Sequence, residues 1–365
     1  PFVTLVDNIR GLDKGGSKVA FSLMMKMRHV QERTGGRNTI LLTGTPITNT
    51  LAEAWNMIRL VRPDLLEEFG VSRFDSFFTA FTEPVTETEF TPVGEWKSVT
   101  RLSRFVNGPE LLRMWKAAAD VINPEDVDLN RPGIKNGRPT TISIPRPERV
   151  GKYMDYLLDR YRAWMKLSGR AKKENSAEPL VITTLAKKAA LDMRLVDPDL
   201  PDEPGSKLNV AADRIAEIYR EFDQYKATQI VFADMHTSSD GRFNVYKALK
   251  EALIERGIPA DEIADINDHL SEKKKPLLYQ AVNEGRVRVL IGSTERLGIG
   301  VNVQERLIAA HHLDAPWRPA DMEQREGRIV RQGNMFFDLK IPVEIIRYGV
   351  EKTLDASIFF RLAMK

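Results

Sequence analysis

From residue 206 onward, short and largely apolar runs alternate with stretches whose apolar positions recur every three or four residues. The runs are QIVFA (229–233), VRVLIG (287–292), residues 307–313 and IPVEIIRY (341–348), each of strand length. Between them the three-to-four period predicts helices over 208–222, 243–256 and 272–284, a short helix after residue 318, and a last one from Glu351. Apolar strands alternating with amphipathic helices predict an α/β fold with a mostly parallel sheet covered on both faces.

Upstream the pattern is less regular. Residues 17–33 and 51–61 carry the helical period, and TILLT (39–43) between them has the composition of a short buried strand. From about Asp64 to Pro204 the alternation is lost. Helices are expected over 109–122, 148–167 and 187–196, with a glycine- and proline-rich loop over 130–147 that includes a short strand at 141–144. DPDLPDEPGS (197–206) reads as a linker, and the lysine run EKKKP (272–276) as an exposed helix start.

Composition narrows the chemistry. The chain has 365 residues, room for more than one core, and a net charge of +3 that is only mildly basic. It has no cysteine, which excludes disulfides and thiolate chemistry and fits a reducing cytoplasm. No run of 18 apolar residues and no signal-peptide pattern occurs, so a cytoplasmic, membrane-free setting is expected. His311 and His312 are neighbours on an expected strand, where they point to opposite faces and do not share a metal.

Three stretches carry candidate chemistry. MEQREGRIVRQG (322–333) crowds Arg325, Arg328 and Arg331 together. Read as a helix opening near Pro319 and closing at Gly333, it places Arg328 and Arg331 on one face with Gln324. Two guanidinium forks in one direction suit a phosphate chain. Arg325, off that face, is expected to be a surface or interdomain charge, and Gly327 to permit close helix packing. IGSTERLGIGVNV (291–303) places Ser293 and Thr294 just after a strand, where they can hold phosphates, with Gly298 and Gly300 permitting close backbone approach. LLTGTPITNT (41–50) turns from strand to helix through Thr43, Gly44 and Thr45, where the hydroxyls can bond across a cleft and the glycine serves the turn.

Together these stretches resemble the helicase motifs of superfamily 2, in the Swi/Snf-like branch of double-stranded DNA translocases. LTGTP is similar to that branch's motif III, QIVFADM to motif IV, GSTERLGIGVN to motif V and QREGRIVRQG to motif VI. The wider text also resembles helicase-like proteins of phages and mobile elements that are often joined to an N6-adenine DNA methyltransferase.

The resemblance implies RecA-like lobes: residues 1–70 as the trailing part of lobe one, 71–205 as a mainly helical insertion and linker, and 206–365 as a complete second lobe. It assigns Arg328 and Arg331 as arginine fingers. Gln324, Gly300, Thr43, Gly44 and Thr45 are assigned to ATP binding or coupling, and Ser293 and Thr294 to DNA phosphates. The implied cofactors are ATP and Mg2+, and the implied partner is double-stranded DNA, with a methyltransferase domain or subunit alongside. The family's phosphate loop and acidic magnesium motif are missing from these residues; GLDKGGSK (11–18) has its lysine after serine and no strand before it. The expectation is therefore that the chain begins inside the first lobe and alone does not turn over ATP. The alternative is a non-catalytic helicase-like module that binds DNA or acts as a scaffold.

Overall fold

A computed structural model describes residues 17–36, 38–44, 46–47, 51–90, 96–122, 126–127, 129–269, 271, 274–297, 301–316 and 319–363. The chain divides into two compact units: residues 1–89 with 97–128, and 90–96 with 129–365. These divisions differ from the expected ones at 70 and 205, because strand and helices upstream of the linker pack into the second unit.

In the first unit, helix Lys18–Thr34 opens on Ser17, whose hydroxyl accepts from the Ala20 amide, and closes at Gly35 in the left-handed region. Gln31 fastens it by donating to the Leu60 carbonyl at 2.7 Å. The core is aromatic. Trp55 of helix Leu51–Val61 packs edge-on to Phe74, and Phe77, Phe78 and Phe81 of helix Phe74–Phe81 join it with Met114 of helix Gly108–Ala118. The run 39–43 is not a strand, and Ile40 and Leu42 are exposed. A buried parallel strand needs neighbours on both sides to take up its amides and carbonyls, and no described strand flanks this run. Two strands absent from the expectation, β1 (Thr82–Phe90) and β2 (Trp96–Phe105), pair as a separate sheet.

The second unit is built on a six-stranded sheet. Its strands are β3 (Thr140–Ile144), β4 (Thr228–Phe232), β5 (Ile263–Asp265), β6 (Val289–Gly292), β7 (Leu307–His312) and β8 (Glu344–Val350), in spatial order β3-β8-β7-β4-β6-β5. Every pairing is parallel. Strands β4, β6, β7 and β8 are buried throughout, as expected of a sheet with helices on both faces. Among the covering helices are Lys207–Glu221, capped by Ser206, and Val245–Glu255, capped by Asn244. The expected helix over 187–196 is the end of a longer one, Glu178–Leu191, followed by a 3-10 turn over Met193–Leu195. The Asp192 side chain starts that turn by accepting from the Arg194 amide, which ends the α-helix five residues early. Helix Pro319–Glu326 also ends sooner than expected, seven residues before Gly333, which takes φ +78° after a run of turns. No helix among the described residues is long and apolar enough to cross a membrane.

Candidate functional site

Because the sheet is parallel, its carboxyl ends share one edge, the usual ligand side of such a fold. Three central strands deliver a polar residue there: Asp234 just beyond β4, Ser293 and Thr294 beyond β6, and Asp314 beyond β7. Helix Pro319–Glu326 brings Arg325 into the middle of them.

Arg325 is fully buried, not the surface charge expected from its place on the helical wheel. Its Nε donates to the Thr294 hydroxyl at 2.7 Å, and its Nη2 to Asp234 Oδ2 at 2.7 Å and Asp314 Oδ1 at 3.1 Å. Nη1 donates to the Asp314 carbonyl at 2.9 Å, and the guanidinium lies 5.2 Å from the Phe232 ring centre. The carboxylates are occupied on their other sides as well. Asp314 Oδ2 accepts the amides of Asp234 and Met235 at 2.6 and 2.9 Å. Asp234 Oδ1 accepts the Thr294 amide at 2.7 Å and its hydroxyl at 2.8 Å. Burial works to raise the Asp234 carboxyl, but the Arg325 charge and the Thr294 hydrogen bonds outweigh it and hold it below the usual carboxylate range.

The segment around Asp314 is held from behind by two buried ammonium groups. Lys187 donates to the Ala315 carbonyl at 2.7 Å, and burial pushes its pKa down. Lys207 donates to the Leu313 carbonyl at 3.0 Å and pairs with Asp355. The last residue of the arginine helix, Glu326, accepts from Arg347 of β8 at 2.6 Å. Helix, strand ends and sheet are thus bonded into one block.

Arg328 and Arg331 follow the helix rather than lying on it, with buried Ile329 anchoring the turn between them. They nonetheless converge: Nη1 of each donates to the Val301 carbonyl, at 3.1 and 3.4 Å. Burial, then the neighbouring Arg331 charge, lowers the Arg328 pKa. Two like charges drawn to one oxygen form a seat that fits a ligand with several negative oxygens. Gln324 is exposed on the helix. Gly327 is exposed too, and a Cβ there would meet the Glu323 carbonyl oxygen of the preceding turn at 3.1 Å, so its smallness serves the chain's own bend and not the expected packing.

Ser293 is half-buried; its hydroxyl accepts from the Arg296 amide at 3.4 Å and gives its proton to no partner among the described residues. Thr294 is otherwise placed, since its amide and hydroxyl protons both go to Asp234. Thr43 and Gly44 belong to the first unit and are exposed. A Cβ on Gly44 would meet nothing within 4 Å among the described residues and its φ is not left-handed, so the turn does not depend on glycine as expected. Thr45, Gly298 and Gly300 lie outside the described residues. Sequence reasoning missed Asp234, Asp314 and the burial of Arg325. The available signal was an acidic residue just past each of two apolar strands, which a parallel sheet brings together and which together require a cation.

Comparison with known proteins bears on this edge. Residues 213–333 match a family described as the helicase conserved C-terminal domain, and residues 1–122 match one described as a probable helicase domain. The human lymphoid-specific helicase is 30% identical over 95 residues, covering 26% of this chain and 11% of that protein. Defense against restriction protein B of Escherichia phage P1 is 29% identical over 109 residues, covering 30% of this chain and 5% of that protein. The chain thus spans a small part of the curated relatives it matches. Among solved structures, the Sulfolobus solfataricus SWI2/SNF2 ATPase C-terminal domain aligns at 17% identity over 62% of this chain and 85% of its own, with a TM-score of 0.43. The second unit has the α/β, RecA-like fold of a helicase C-terminal lobe and contains a helicase-like C-terminal domain.

Proposed function

We propose that this chain is the C-terminal portion of an ATP-dependent DNA translocase or helicase of superfamily 2, in its Swi/Snf-like branch, with the trailing part of the first lobe and the whole of the second. The convergence of Arg328 and Arg331 on the Val301 carbonyl carries the reading. Two guanidinium groups drawn to one point can each take up oxygens of a polyphosphate. ATP and Mg2+ would be held chiefly by a preceding lobe that supplies the phosphate loop and acidic motif. Arg328 and Arg331 then stabilise the charge that develops on the transferring phosphoryl group, an effect worth about 10³–10⁵ in rate for such arginines. The resemblance assigns Gln324, Thr43, Gly44, Thr45 and Gly300 to ATP binding or coupling.

Double-stranded DNA is the proposed track, gripped through its phosphates without regard to sequence. Ser293 has a hydroxyl proton ready for a phosphate oxygen. Thr294 can contribute its own only as Asp234 yields it. The phage P1 relative agrees with a mobile-element setting, in which a methyltransferase domain or subunit would accompany the motor.

The test is ATP hydrolysis, with and without double-stranded DNA, by a longer protein extended upstream of Pro1 so that the first lobe is complete. The chain by itself and an Arg331→Ala form of the longer protein run beside it. DNA-stimulated turnover, absent from the chain alone and reduced about 10³-fold or more by Arg331→Ala, is expected. A longer protein that hydrolyses no ATP under any condition would instead make this a non-catalytic DNA-binding or scaffold module.

A further inference from the structure

Arg325 takes no part in the chemistry proposed above, yet it is fully buried and bonded to Thr294, Asp234 and Asp314. It sits between two parts of the site. On one side its Nε holds the Thr294 hydroxyl, next to Ser293 on the turn assigned to DNA phosphates. On the other, it belongs to helix Pro319–Glu326, which leads within a few residues to Arg328 and Arg331. We infer that Arg325 is a positioning residue that couples the phosphate-contacting turn to the arginine pair, so that DNA engagement sets where Arg328 and Arg331 stand. This inference rests on the proposed translocase reading.

The geometry supports transmission rather than simple packing. Thr294 has one hydroxyl proton and gives it to Asp234, while the same oxygen accepts from Arg325. Its amide proton also goes to Asp234. A DNA phosphate that draws on either proton competes with the Asp234 carboxylate. Asp234 is bonded to Arg325 by Nη2, so a shift at Thr294 or Asp234 reaches the guanidinium directly. The opposite edge of that guanidinium is fixed on Asp314, whose own carboxylate is held by the Asp234 and Met235 amides and whose neighbours are held by Lys187 and Lys207. Through Arg325 such a shift reaches the helix that bears it. The helix end is also tied to the sheet through Glu326 and Arg347, and the turn to Arg328 begins just after it. A planar fork that donates in three directions can relay such a shift; a lysine has the charge without the fork.

The experiment compares the parent two-lobed protein with Arg325→Lys and with an Arg325→Met/Asp234→Asn double variant. The double variant removes the Arg325 and Asp234 charges together, and the Asp314 carboxylate keeps the Asp234 and Met235 amides. Thermal melting first establishes that each variant folds. Turnover is then measured against ATP concentration, with and without saturating double-stranded DNA. The expected result is that DNA stimulation falls about tenfold in both variants. Turnover without DNA and its KM for ATP stay within about twofold of the parent. Stimulation that survives in both variants overturns the inference. So does an equal fall with and without DNA, because that is the mark of a merely structural arginine. If the parent itself shows no DNA-stimulated turnover, the translocase reading has failed and takes this inference with it, an outcome distinct from the other two.

Discussion

His311 shows how much one buried residue constrains. It is fully buried on β7, with Nε2 2.9 Å from Gln229 Oε1 and Nδ1 2.8 Å from the Tyr348 hydroxyl. A glutamine carbonyl oxygen only accepts, so Nε2 carries the proton and Nδ1 accepts from the tyrosine. No further proton has a place, and burial, aided by the Arg214 charge, pushes the imidazole down to about 3. His312, stacked on Phe232, is held well below its ordinary value by burial and by the Arg325 and Arg347 charges. Both therefore fold neutral. Below about pH 6.5 the unfolded chain takes up protons that the folded chain refuses, so stability is full above that pH and drains away as pH falls toward about 3. Each imidazole should cost about 2 kcal/mol between pH 7 and pH 5. Urea midpoints at the two pH values check this, and His311→Gln should remove its share. A midpoint that does not move with pH would mean that the imidazoles are not held neutral.

At the scale of elements, the join between helix Lys274–Asn283 and β6 is unusually tight. Gly285 has φ +75°, and a Cβ there would stand 2.7 Å from Lys226 Cβ and 2.8 Å from the Lys226 carbonyl oxygen. Backbone cannot step aside as a side-chain tip can, so Gly285→Ala should cost about 2–4 kcal/mol, combining left-handed strain with overpacking. Chemical denaturation of that variant measures it, and a loss below half of this range would show that the join can relax. Such joins also explain what the sequence disclosed. The apolar runs of β4 and β7 and the periods of the helices around them could be read directly, because burial on both faces leaves a mark on composition. The parallel edge strand β3 was visible as a strand, but nothing local to 140–144 says that it pairs with β8. The pair β1 and β2 was invisible because TETEF and SVTRLS are mostly polar. The run 39–43 misled for the opposite reason, having a strand's composition without flanking strands among the described residues. In the site, Arg328 and Arg331 were legible as a pair even though the supporting helix stops at Glu326. The wheel that set Arg325 apart from them assumed a helix running on to Gly333, and only the fold could say that Arg325 points inward.

For the whole molecule, a net charge of +3 cannot hold DNA by bulk attraction, so any grip has to come from local phosphate contacts. Affinity for double-stranded DNA should then depend steeply on salt and hardly on sequence. With about four phosphates neutralised, it should fall on the order of a hundredfold between 50 and 200 mM salt. Titrations of the two-lobed protein on unrelated duplexes at several salt concentrations test this, and a flat salt response would rule out a phosphate track. The sheet also has a history that its finished form conceals. Thr140 of β3 lies in register with Ile346 of β8, and Lys135 just before β3 bonds Glu344 at 2.5 Å. A ribosome adding about 5–20 residues each second needs roughly 10–40 s to travel from one partner to the other. For all of that time β3 is made but has nothing to pair with. The second unit can close its sheet only once β8 has been made, so a stop that spares β4, β6, β7 and the arginines but precedes β8 would still leave an unfinished edge.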